Sequence, residues 1–283
     1  MLLNGVNRFL WSLSNYTTPS ATPGTSVTPG ASNAEGSWTQ LFTGAQVVTD
    51  VYDLFIAISG GNTSAAAKNH LLDIGIDTSG GSSYAQVVQN ILCSQSQATV
   101  VGACQFRFPI FIPAGSSIAV RVRGSNATAG TVRVVAKLFG RPTHPEYIFC
   151  GNKVKTLGAV EASSLGTSFT PGNATYGSWA SLGQLTDMAG KFVQLGMGVN
   201  NGTITAQYTF VDLGISSNNT TFSSLGMERT LGFYNTAEIA SWFLDEPLFR
   251  GFVEIPRNWY LGVRGYCNTT PATGYNALAH VVG

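Results

Sequence analysis

Charge is what this 283-residue chain has least of: Asp, Glu, Lys and Arg make up 10% of it, against roughly 25% in an ordinary soluble domain. Its surface must therefore be kept wet by hydroxyls and amides. Neighbours can cover such a surface at little cost, because burying a neutral hydroxyl costs far less than burying an unpaired charge. The formal charge is +1, and lysine is confined to Lys68, Lys137, Lys153, Lys155 and Lys191. That leaves no basic footprint for a phosphate backbone, so nucleic acid is not an expected partner.

With three histidines and four cysteines, the usual catalytic and metal-binding patterns are missing too. His70, His144 and His280 have no recurring partners, and neither GxSxG nor HExxH occurs. Asp245 and Glu246 are adjacent, so on a strand they would point to opposite faces and make a poor pair for glycoside chemistry. Cys93, Cys104, Cys150 and Cys267 lack the spacing of a zinc site. Cys93 and Cys104 could close a loop as a hairpin pair, or sit as buried thiols. The expectation is a protein that is no enzyme and holds no cofactor and no metal. No apolar run reaches the roughly 18 residues of a membrane span, so no membrane partner is expected. Met1 to Leu13 reads as a first strand or arm.

What is present is a repeat. Thr28-Pro29-Gly30 matches Thr170-Pro171-Gly172, Gly36-Ser37-Trp38 matches Gly177-Ser178-Trp179, and Asp73-Ile74-Gly75-Ile76 matches Asp212-Leu213-Gly214-Ile215. The order continues with Ile112-Pro113 and Ile255-Pro256, then Val122-Arg123-Gly124 and Val263-Arg264-Gly265, then Gly140 and Gly283. Matching landmarks in one order imply an internal duplication, with halves 1–140 and 141–283 joined where Pro142 and Pro145 stiffen the chain. With 44% hydrophobic residues, each half can bury a core.

Within each half the local pattern is that of strands. Ile118, Val120 and Val122 alternate with Ala119, Arg121 and Arg123, the signature of a strand with one buried face. Val51 to Ser59, Leu71 to Ile76, Phe106 to Ile112 and Thr131 to Leu138 are similar runs, separated by turn formers such as Thr78-Ser79-Gly80-Gly81. Ala65 to Leu72 and Ala237 to Leu244 are the best helical candidates, a turn or two each. The expected fold class is all-β: two tandem jelly-roll-like β-sandwich domains, each independent of the other, with an extended N-terminal segment over 16–33.

Candidate sites divide into core and surface. Trp38 and Trp179 are expected as core tryptophans, with a platform for a sugar ring as the alternative. Asp73 and Asp212 are expected to accept hydrogen bonds from turn amides. Arg123 and Arg264 end matching strands and can lie along the sheet or grip a partner. Met227 to Arg250 is where the halves differ most, and its Glu228, Arg229, Tyr234, Trp242, Phe243 and Arg250 form the candidate interface, since divergent loops on a shared scaffold carry partner choice.

The stretch Phe111-Ile112-Pro113-Ala114-Gly115-Ser116-Ser117-Ile118-Ala119-Val120-Arg121 resembles a strand-turn-strand phrase of virion structural proteins of tailed bacteriophages. The sparse charge and the Ser/Thr/Gly-rich arm resemble them as well. The resemblance implies a copy-rich accessory subunit, either a capsid-decorating protein or a tail or fibre component. Its partners would be itself, as a homo-oligomer, and other virion proteins. It would be assembled in the host cytoplasm and carried outside the cell in the particle. A glycan-binding adhesin with a glycan receptor and an extracellular hydrolase accessory module are the alternatives.

Overall fold

The computed structural model describes residues 11–16, 24–60, 68–95, 103–125, 130–140, 150–162, 166–199, 207–226, 229–233, 242–243, 254–268 and 275–283. Among them there are only strands, turns and bends. In the first half run β1 (Ser12–Ser14), β2 (Thr25–Val27), β3 (Thr39–Phe42), β4 (Asp53–Gly60), β5 (Lys68–Asp77), β6 (Ala85–Gln95), β7 (Ala103–Phe108), β8 (Ser117–Gly124) and β9 (Val132–Phe139). The second half has β10 (Val154–Leu157), β11 (Thr167–Phe169), β12 (Gly172–Asn173), β13 (Ala180–Gln184), β14 (Phe192–Val199) and β15 (Gln207–Ser216). After these come β16 (Ser223–Ser224), β17 (Arg229–Phe233), β18 (Trp242–Phe243), β19 (Tyr260–Cys267) and β20 (Tyr275–Val282).

Each half is a jelly roll. In the first, one sheet runs β1-β9-β4-β7 with β2 beside β9, and the strands β6-β5-β8-β3 form the facing layer. The second half repeats both orders as β10-β20-β14-β18 with β11 beside β20, and as β16/β17-β15-β19-β13. Even irregularities recur. β3 is bulged between Gln40 and Phe42 against β8, and β13 between Ser181 and Gly183 against β19.

Alternation builds the two cores. Leu72, Ile74, Val120 and Val122 meet Leu54, Ile56, Val134 and Leu138 in the first. Leu213, Val211, Leu261 and Val263 meet Val193, Leu195, Ala279 and Val281 in the second. Burying one such side chain contributes about 1.5–3 kcal/mol, which is why period-two runs settle with these faces inward.

The halves are not independent. β10 pairs in parallel with β6, Val154 opposite Val88 and Lys155 opposite Gln89, so one nine-stranded sheet takes strands from both halves. Thr156 Oγ1 donates to the Gln89 carbonyl at 2.6 Å, and Gln194 Nε2 donates to the Arg107 carbonyl at 2.6 Å. Every residue of β20 is buried: Tyr275, Ala277, Ala279 and Val281 face their own core, while Leu278, His280 and Val282 face the first half. Sequence repeats reveal duplicated units, not how those units pack.

Three other expectations change. Lys68 to Leu72 belongs to strand β5, not to a helical turn, because Leu72 and Ile74 alternate into the core. Trp242 and Phe243 lie in strand β18, and the rest of Ala237 to Leu244 falls outside the described residues. The extended segment is largely part of the sandwich: β2 pairs with β9, and Asn33 donates its backbone N–H to the Gly124 carbonyl at 2.9 Å. Positions 17–23 and the junction Arg141 to Pro145 lie outside the described residues.

Candidate functional site

β5 and β8 send Asp73, Gly75, Ala119 and Arg121 to the sheet face opposite the core, and β15 and β19 do the same with Asp212, Gly214, Gly262 and Arg264. In the first half Arg121 Nε meets Asp73 Oδ2 at 3.1 Å. In the second, Arg264 Nη2 meets Asp212 Oδ2 at 2.9 Å. Both aspartates are buried, and a buried carboxylate needs such a partner. Asp73 also accepts the Asn90 backbone N–H at 2.8 Å, at a bulge where Gln89 and Asn90 together oppose Asp73. Asp212 instead accepts the Ser224 hydroxyl at 2.8 Å. These are sheet-centre ion pairs, not turn-capping carboxylates.

The tryptophans belong to this outer face. Trp38 and Trp179 are half-buried and stand outside both apolar clusters, which corrects their assignment to the core. Each ring lies over a glycine: a Cβ on Gly75 would come within 2.8 Å of Trp38, and one on Gly214 within 2.5 Å of Trp179. An arginine covers each ring, Arg121 at 4.5 Å from Trp38 and Arg264 at 4.4 Å from Trp179. Cation–π contact of this kind is worth about 0.5–2 kcal/mol.

The halves then part. Beyond Arg121 stands Glu35, which forms a second ion pair with it. At the same place in the second half stands Tyr176, whose ring centroid is 4.1 Å from the Arg264 guanidinium. Tyr176 packs edge-on to Tyr266 at 4.9 Å, Tyr266 stacks on Phe210 at 4.5 Å, and Phe222 stacks on Trp179 at 5.5 Å. Five half-buried aromatics and one arginine thus form a stripe across the outer face of the second half. Period-two alternation in β19 would have put Arg264 and Tyr266 on one face, but the stripe also draws on three other segments.

Arg123 is not the counterpart of Arg264. Strand register pairs Asp73 with Arg121 and Asp212 with Arg264, so the position of Arg123 is held by Tyr266. Val120-Arg121-Val122-Arg123 contains the same dipeptide twice, and a slip of two keeps every side chain on its face. Arg123 instead donates to Asn90 Oδ1 within its own half and reaches the second half at the Val160 carbonyl, 3.2 Å away. Of the other candidates, Arg229 lies in β17 and Trp242 and Phe243 in β18, while Glu228, Tyr234 and Arg250 fall outside the described residues. Arg229 to Phe233 pairs with β15 as β6 pairs with β5, so that part of the divergent segment is shared scaffold.

Titration adds little chemistry. Burial lowers the His280 imidazole to about 3, and its Nδ1 lies 2.6 Å from Thr156 Oγ1. Burial, with help from Asp53, raises the Cys150 thiol to about 12, the opposite of an activated nucleophile. Among the described residues no three His, Cys, Asp or Glu side chains are grouped to hold a metal ion, and no helix could cross a membrane. Ser26, Thr28, Gly30, Glu35, Ser37 and Thr39 line a shallow polar groove of about 370 Å³ beside Trp38.

No known protein family and no curated protein matches the sequence. Among solved structures, the CBM22-1–CBM22-2 tandem domain of Xyn10C from Paenibacillus barcinonensis is 11% identical, with 96% of this chain and 91% of that chain covered at a TM-score of 0.29. A chain of broad bean stain virus is 10% identical over 93% and 92% at 0.28. A fucolectin from the serum of striped bass, Morone saxatilis, is 11% identical over 83% and 79% at 0.20. At such scores no role is transferred.

Proposed function

We propose that this chain is a non-enzymatic virion structural protein of a tailed phage, an accessory capsid-decorating or tail-associated subunit that works through protein contacts. The observation that carries this reading is the interface between its own halves. Two jelly rolls are held together mainly by neutral groups: strand pairing, the Thr156 and Gln194 hydrogen bonds, and the apolar contact of Leu71 and Leu92 with Ala159, Ala162 and Leu278, with Arg123 adding one hydrogen bond to the Val160 carbonyl. The same charge-poor chemistry suits a surface meant to be covered by further subunits. Fold alone does not fix the role; the phage assignment rests on the resemblance of the Phe111 to Arg121 phrase.

The test is to purify particles from a host producing this protein, wash them in high salt, and quantify the chain by mass spectrometry. Many copies per particle, retained through the wash because few ionic contacts are involved, is the expected result. A chain recovered only in the particle-free fraction overturns the assignment.

The polar groove beside Trp38 favours a second reading, a glycan-binding module. Against it, Trp38 and Trp179 each already pack against an arginine. Binding of the purified chain on a glycan array, abolished by Ser37→Ala with Thr39→Ala, would establish this alternative in place of the first.

A further inference from the structure

The contact between the halves is heterologous: different surfaces of one repeated unit meet. The second half contributes the outer face of its β10-β20-β14 layer together with the segment after β10. The first half contributes the β6 edge and the outer face around Leu71, Leu92 and Arg123. Because both halves share one topology, each surface has a twin that this contact leaves unused. One twin is the outer face of β9 and β4, where Phe55, Val135 and Phe139 are half-buried and Lys137 is exposed. By strand register Val135 stands where Leu278 stands, and Lys137 where His280 stands. The other twin is the aromatic stripe: Phe210 stands where Leu71 stands and Tyr266 where Arg123 stands.

Resting on the assembly reading above, we infer that the aromatic stripe of the second half receives the first half of another copy of this chain, head to tail, repeating the internal contact between molecules. From the segment between β10 and β11, which runs from Gly158 to Gly166, Ala159 and Ala162 pack with Leu71 internally. The segment's positional twin is residues 16 to 24, and Gly166 and Gly24 share a positive φ, 115° and 80°. In sequence this twin reads Thr17-Thr18-Pro19-Ser20-Ala21-Thr22-Pro23 between its ends, an uncharged stretch with two prolines, the composition that aromatic surfaces accept. The incoming face is more polar than its internal model, with Asp53 in place of Phe192 and Lys137 in place of His280. The contact between chains is therefore weaker than the internal one and depends on concentration.

Sedimentation velocity of the full chain over a concentration series tests this, with two variants that each disable one surface. Phe210→Ser with Tyr266→Ser removes the centre of the stripe, and Val135→Asp puts a charge on the incoming face. Each variant alone should self-associate at least tenfold more weakly than the native chain, while an equimolar mixture restores one contact and stops at the 1:1 dimer. Near-native melting temperatures are the control for folding; should the double variant melt early, Tyr266→Asp alone takes its place. A mixture that stays monomeric, or a stripe variant that associates like the native chain, overturns the inference. If the chain is nonetheless retained on washed particles, the virion reading stands and the stripe serves a different partner. A glycan that competes with self-association would give the stripe to the adhesin reading.

Discussion

In the first repeat the arginine on the tryptophan is held between two carboxylates, Asp73 and Glu35; in the second it is held between two rings, Tyr176 and Trp179, with one carboxylate beneath. The backbone, the glycine floor and the Asp–Arg register are the same in both. One exchange, Glu35 for Tyr176, together with Arg123 for Tyr266 and Leu71 for Phe210, turns an ionic face into an aromatic one. Among the described residues, the first repeat's version lies partly under the other half, and the second repeat's does not. A duplicated scaffold can thus keep its internal pairing chemistry while changing what it offers to partners.

The largest difference between the repeats should appear in acid. His280 is buried against Phe106 and Phe108 at the contact between halves, while its twin Lys137 is exposed. The His280 imidazole titrates near 3 in the fold and near 6.5 when unfolded, so the unfolded state binds the extra proton between those values. Stability conferred by the neutral ring is complete above about pH 6.5 and declines as pH falls toward 3, by about 4–5 kcal/mol in total. Urea midpoints measured from pH 7 to pH 3.5 should fall more steeply for the native chain than for His280→Gln. Equal slopes would show that the ring is not held neutral.

Next in size is the arginine itself. Removing Arg121 or Arg264 leaves a buried carboxylate without its cation, which costs about 3 kcal/mol. Arg264→Met should cost about 1 kcal/mol more than Arg121→Met, because it also forfeits a second ring contact, whereas Arg121→Met frees Glu35 from its partner at the rim. Chemical denaturation resolves a gap of that size. An Arg121 variant that is the weaker of the two would mean the ion pair with Glu35 outweighs the aromatic stack.

Below that come the floors of the stacks. Gly75→Ala would press on the Trp38 ring edge at 2.8 Å and on the Tyr84 Cβ at 2.9 Å, while Gly214→Ala would press on the Trp179 ring edge at 2.5 Å and on the Ser223 carbonyl at 2.9 Å. The ring contact at Gly214 is the tighter of the two, so about 2 kcal/mol is expected for Gly214→Ala and about 1 kcal/mol for Gly75→Ala. Melting temperatures in the reverse order would show that the two rings are seated differently despite the shared register.

Sequence patterning made the all-β class and the duplication legible, because alternation such as that of β8 and ordered landmarks survive without coordinates. Three things were hidden, each for a physical reason. The counterpart of Arg264 was misassigned to Arg123 because a two-residue slip within Val120 to Arg123 changes no face. β6 escaped notice because its bulge at Asn90, with φ of 58°, breaks alternation. The tryptophans looked like core residues because a large apolar ring is usually buried, yet a glycine opposite an arginine makes an equally good seat on an outer face. The stripe itself gathers Tyr176, Trp179, Phe210, Phe222 and Tyr266 from four segments, and only topology brings them together.

The smallest expected effect lies at the first strand of each repeat. In the second, Lys153 and Lys155 both pair with Asp187. Its partial burial pushes the carboxyl up, but hydrogen bonds from the two lysines prevail and hold it at about 2. At the same positions the first repeat has Trp11 and Leu13, which pack against its core. The ion pairs are partly exposed, so solvent screens them and Lys153→Ala should cost well under 1 kcal/mol. That loss should shrink further in 0.5 M salt, where the Debye length falls to about 4–5 Å. Leu13→Ala, by contrast, should cost about 1–2 kcal/mol whatever the salt, because it removes apolar contact and not charge. Denaturation of both variants at low and high salt checks the contrast. If Lys153→Ala proved as costly as Leu13→Ala and insensitive to salt, the lysine stem and not its charge would be the stabilising part, and the two repeats would hold their first strands by the same apolar means.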